Sequence, residues 1–143
     1  MNRQIAYAAL TDDTNVFVQA LKNIVPANRI RSAGGATEGD ATTDDIERPF
    51  IVIRELPDEK PFTDSQTRVG SVAIYVHDQP ESYVKIDNCL GLVSTIMNSS
   101  AATQIAGHWL SSVEDQGWSE DLFDDHYETA TRFGTFRMVA RPV

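Results

Sequence analysis

The sequence predicts an α+β fold: a mostly antiparallel, four-stranded sheet with helices packed on one face. Three observations lead there. Residues 80–98 repeat apolar groups at helical spacing. Four runs, 49–56, 68–77, 108–114 and 129–141, combine β-branched or aromatic residues with strand-like spacing. A shorter helical stretch precedes them, so the order reads helix, strand, strand, helix, strand, strand.

The first helix is expected over 12–25. Thr11, Asp12 or Asp13 can cap it, Phe17, Leu21 and Ile24 share a face, and Pro26 stops it. Ile5, Ala9 and Leu10 suggest a short turn or helix at 3–10. The first strand, Pro49 to Leu56, is apolar on both faces and so belongs inside the sheet. In the second, Val72, Ile74 and Val76 face one way while Ala73, Tyr75 and His77 face the other. The polar link between them carries Pro57 and Pro61 and fits a hairpin with a long tip. In the main helix Tyr83, Ile86, Leu90, Val93 and Met97 form a stripe, widened by Cys89, Leu92 and Ile96. Pro80 suits its first position, with Asp78 or Gln79 as cap. Gly91 inside this helix marks close approach of a neighbouring element.

A chain of 143 residues fits one domain, 1–143, with a core of its own. Residues 32–47 are Gly-, Thr- and Asp-rich with Ile46 as the one large apolar group. They are expected to form a flexible arm, either a plain surface loop or a segment that orders against a neighbouring subunit. No apolar run reaches membrane-span length, and the N-terminus lacks a signal-peptide layout. The single cysteine, Cys89, lies in the helical stripe and reads as a buried, inert thiol.

Net charge is −9, and that disfavours a DNA-wrapping surface, which needs clustered Lys and Arg. No catalytic motif is present. Gly34, Gly35 and Gly39 do not link a strand to a helix, so they form no phosphate loop. His77, His108 and His126 lack zinc-ligand spacing, and Asp124-Asp125-His126 lacks the calcium-loop pattern. No catalytic residue, cofactor site or metal site is therefore expected.

The densest chemistry is acidic. Residues 114–128 hold seven carboxylates (Glu114, Asp115, Glu120, Asp121, Asp124, Asp125, Glu128) and neither Lys nor Arg. An exposed loop is expected there, tolerated by solvent or by a partner. Trp109 and Trp118 bracket it; Trp109, in a strand pattern, is expected in the core, and Trp118 suits core or interface equally. The candidate interface residues are Trp118, Phe123, Asp121, Asp124 and Asp125.

Two segments, Gly117-Trp118-Ser119-Glu120-Asp121-Leu122-Phe123-Asp124-Asp125 and Arg132-Phe133-Gly134-Thr135-Phe136-Arg137-Met138-Val139-Ala140-Arg141, extend into a longer series. Ahead of them stand Arg48-Pro49-Phe50-Ile51-Val52-Ile53, then Val72-Ala73-Ile74-Tyr75-Val76-His77-Asp78, then a helix from the Ser82-Tyr83 pair to Met97. In this order, from Arg48 to the end, the chain resembles the tail terminator family of long-tailed bacteriophages, to which tail completion and head–tail joining proteins are similar. The arm at 32–47 matches no part of that pattern.

The resemblance implies a structural virion protein without enzymatic activity or cofactor. It implies a homo-oligomeric ring, usually a hexamer, that caps the head-proximal end of the tail tube. Its partners would be the major tail tube protein and a neck or head-completion protein, in the virion tail or neck after assembly in the host cytoplasm. DNA would pass through the lumen without specific binding, and no membrane would be involved. The alternatives are a head-side connector or stopper of the neck and, from another class, a small acidic ligand-binding domain. The latter would need a deep pocket with convergent polar groups.

Overall fold

A computed structural model describes residues 2–32, 47–59 and 66–143. The arm expected at 32–47 lies, except for its end residues, outside the described residues. Two short helices open the chain, α1 (Asn2–Thr11) and α2 (Val16–Lys22). A single 3₁₀ turn, Ala27–Arg29, leads into β1 (Ile30–Ser32). Then come β2 (Phe50–Glu55), β3 (Arg68–Asp78), α3 (Tyr83–Ser99), β4 (Thr103–Ile105), β5 (His108–Trp118), β6 (Leu122–Asp124) and β7 (Thr129–Pro142).

The α+β class stands, but the four-stranded antiparallel sheet does not. Among the described residues the sheet has seven strands and is mixed: its path is β1-β2-β3-β7-β5-β4, with β6 also on β7. β1 runs parallel to β2; every other pair is antiparallel. The three strands that the sequence hid, β1, β4 and β6, have three residues each, too few for alternation to register. β4 joins β5 through Ala106 and Gly107, both at positive φ, a two-residue hairpin turn without the usual Asn-Gly signature.

Local side-chain chemistry moves two helix starts. Asp12 accepts from Thr14 N and Thr14 Oγ1, closing a turn of its own. The cap of α2 is therefore Asn15, whose Oδ1 accepts from Phe17 N at 3.0 Å. Glu81 sits at φ 71°, which takes the chain off a helical path, so α3 starts at Tyr83 and Pro80 stays outside it.

The central pair is β3 with β7, in register from Arg68↔Ala140 to Asp78↔Ala130. On one face Ile51, Ile53, Val72, Ile74, Val76, Phe136 and Met138 meet Ile5, Leu10, Leu21, Ile86, Leu90, Val93 and Met97 of the helices. The stripe read from the sequence is thus the buried face of α3. The opposite face carries a second cluster, Phe50, Val52 and Tyr127 with Tyr75 against it. There the Phe50 and His77 rings stack at 4.7 Å, and Tyr75 meets Phe133 at 4.7 Å. No helix among the described residues is long and apolar enough to cross a membrane.

Candidate functional site

The acidic segment is part strand and part loop: Glu114 and Asp115 lie on β5 and Asp124 on β6, while Glu120, Asp121, Asp125 and Glu128 lie in the connection and turn around β6. β5 pairs with β7 from His108↔Pro142 to Trp118↔Gly134, and β6 continues on the same strand from Leu122↔Thr131 to Asp124↔Thr129. Two irregularities, between Leu110 and Ser112 and between Asp115 and Trp118, let β5 follow β7 this far. Gly117 takes φ 94° at the second, and its N–H donates to Asp115 Oδ1 at 2.9 Å. The strand expected at 108–114 therefore runs four residues further. The segment's course over two strands and two connections spreads the seven carboxylates, and arginines meet two of them, Glu114 and Asp121.

Both arginines come from β7. Arg132 donates from Nε and Nη2 to the Ser119 carbonyl at 3.0 and 2.8 Å. Its Nη1 lies 2.6 Å from Asp87 Oδ1 on α3, and its Nε is 3.5 Å from Asp121. Arg137 lies 3.7 Å from Glu114 and 3.2 Å from Glu59. This contact holds the Glu59 carboxyl below its ordinary pKa. Two of the seven carboxylates, Asp121 and Glu114, thus have basic partners although the window itself holds neither Lys nor Arg. The cations stand outside the window 114–128, and sheet register brings them in.

Trp118 is anchored to α3 but is not a core residue. Its Nε1 donates to Ser94 Oγ on α3 at 3.0 Å, while 39% of the residue is exposed. A Cβ on Gly91 would lie 3.9 Å from the Trp118 ring, an ordinary contact distance, so Trp118 is the neighbour there but its approach is not close enough to require the glycine. Trp109 is not a core residue: it is 36% exposed, because its register opposite Arg141 turns it to the face that no helix covers. Phe123, on β6 opposite Ala130, is 55% exposed.

Asp124 accepts from Tyr127 N at 2.9 Å and so shapes the turn between β6 and β7. Asp125 and Asp121 are exposed. Arg48, just ahead of β2, reaches across and donates to the carbonyls of Tyr127 at 2.6 Å and Glu128 at 3.4 Å. Beneath this turn His77 is buried, its Nδ1 2.7 Å from Thr129 Oγ1. Burial pushes its pKa down to about 4; Asp124 opposes the shift and Arg48 adds to it. Sequence reasoning missed Arg48, Arg132, Arg137 and the His77 cluster. The even–odd positions of Arg132 and Arg137 in β7 were the available signal, since alternation sends them to opposite faces.

Cys89 is buried, and burial followed by Asp78 raises its thiol to about 12. Among the described residues no group of three or more His, Cys, Asp or Glu is arranged to hold a metal ion. The site offers a different kind of chemistry: an acidic strand end and the acidic connection that follows it, with Trp118 and Phe123 exposed beside them and Arg132 holding the connection from behind.

No family model matches the chain. No curated protein matches it either. Among solved structures it is similar to a chain described as "Virion of native gene transfer agent (GTA) particle". The two share 12% sequence identity, a TM-score of 0.61, and coverage of 97% of this chain and 93% of that one. At that identity the likeness is one of fold, and the fold of this chain is that of a chain in the gene transfer agent particle over nearly all of both lengths.

Proposed function

We propose that the chain is a structural protein of a phage-like virion and, within that class, a tail terminator. In this reading copies of it form a ring at the head-proximal end of the tail tube. One side of the ring stops tube growth and the other meets the neck. The observation that carries the reading is the near full-length fold likeness to a chain of a gene transfer agent virion. The tail terminator resemblance from Arg48 to the end supports the finer role.

The chemistry is compatible with it. A ring protein needs interfaces rather than an active site, and the chain's most distinctive feature is an exposed edge. The net charge of −9 suits a passage that repels phosphates, so that DNA slides through unbound. The proposed partners are further copies of the chain, the tail tube protein and a neck protein, and no enzymatic step is assigned to it.

Deleting the gene tests the role. The expected result is filled heads without joined tails, together with tail tubes of uncontrolled length. Deletion particles with joined tails of normal length would overturn the terminator reading.

A further inference from the structure

The two edges of the sheet are complementary. At one end β4 covers only His108–Leu110 of β5. The Leu110 carbonyl accepts from Ala102 N on that outer side at 2.7 Å. Beyond Leu110 no described strand lies outside β5, and in the regularly paired stretch Ser112–Asp115 alternation sends every second backbone group outward. This stretch carries Glu114 and Asp115 and is mostly exposed. At the other end β1 is the outermost described strand, and it carries Arg31.

Strand direction and side-chain face both match. β1 runs parallel to β2, and β2-β3-β7-β5 alternate, so β1 and β5 of one chain are antiparallel. Arg31 lies opposite Val52, on the face without helices. Glu114 lies opposite Arg137 on that same face. A second copy placed beside the first, with its helices on the same side, therefore brings its β1 antiparallel to β5. Arg31 and Glu114 then lie on one face, and the register that pairs them brings opposite charges together.

We propose that the β5 edge, Ser112–Asp115, is the docking site for the β1 edge of a second copy of this chain, so that the sheet continues across the subunit boundary. This rests on the ring reading and deepens it. The pairing is strand addition, with backbone hydrogen bonds for adhesion and charge for register. It is heterologous, as a closed ring requires. The acids serve selection: two β5 edges would set carboxylates against carboxylates, whereas the β1 edge brings a cation. In a closed ring each copy makes the contact twice, so a short β1 suffices for a stable assembly.

Charge reversal tests the pairing. The mass of the full chain is measured by sedimentation velocity for wild type, Arg31→Glu, Glu114→Lys, the double variant, and Lys85→Glu on α3 as control. Thermal melts check that each variant is folded. The expected result is association weakened about tenfold or more in each single edge variant, recovery in the double, and no change in the control. A folded single variant that associates like wild type overturns the edge pairing while leaving the ring reading intact. So does a double variant no better than the singles. A wild-type chain that stays monomeric in solution also overturns the edge pairing, and the terminator role is then judged by the deletion phenotype. Should the edge variants lower the mass as expected while deletion leaves tails normal, the pairing survives and the terminator role fails.

Discussion

Arg132 lies with its guanidinium 5.3 Å from the ring centre of Trp118. One side chain thus stacks on the indole, holds the Ser119 carbonyl and bonds Asp87 of α3. It joins helix, sheet and acidic connection at a single point. Replacing Arg132 with Met removes that junction and leaves a carbonyl and a carboxylate poorly paired. The expected loss is about 2–3 kcal/mol in urea unfolding, since hydrogen bonds to charged groups are the stronger kind. A loss under about 0.5 kcal/mol, the size of an ordinary surface change, would mean that the junction is not structural.

Leu90 is fully buried at the centre of the α3 stripe. Its Cδ1 lies 3.4 Å from where a Cβ on Gly134 would stand, so helix and β7 are in tight contact there. Leu90→Ala is expected to cost about 2–5 kcal/mol through lost burial and a residual cavity. Denaturant titration measures it, and a cost below about 1 kcal/mol would contradict the packing described.

His77 makes stability depend on pH in a definite direction. Its pKa falls from 6.5 in the unfolded chain to about 4 in the fold, so between these values the unfolded state binds more protons. The contribution is fully present above pH ~6.5 and is lost as pH falls toward ~4, with a span of about 3 kcal/mol. Carboxylates add their own acid losses. The comparison is therefore wild type against His77→Phe, measured at several pH values from 7.5 to 4. The variant's stability should fall less steeply across that window; parallel curves would show that His77 is not held neutral.

Asp121, Asp124 and Asp125 bear on assembly more than on folding. Asn keeps the acceptor that Asp124 offers to Tyr127 N. The triple change to Asn should therefore cost less than about 1.5 kcal/mol in all. Joining to the tube or neck should fall, or the assembled ring should begin to bind DNA. Infectious particles at wild-type yield, with unchanged DNA affinity, would reduce these acids to a solubility role.

Long elements were legible in the sequence because their periodicity repeats enough times to stand out. The α3 stripe from Tyr83 to Met97 and the alternation from Val72 to His77 are of this kind. The three-residue strands were not, for β1, β4 and β6 exist through pairing rather than propensity. The site was half legible. Its carboxylates form a visible cluster, and Trp118 and Phe123 are exposed. Their arginines stand outside the acidic window and become neighbours only through the β5–β7 register. Trp109 misled for a related reason. A strand pattern tells that side chains alternate, but not which face a helix layer covers.

Imaging of intact particles tests the central claim most directly. Cryo-electron microscopy of wild-type particles, with the chain located by its fold or by a fused tag, gives its position. The account predicts a closed ring of copies at the head-proximal end of the tail tube, in contact with the neck. Absence of the chain from the particle, or its presence as an unringed single copy or in the head shell, would contradict it.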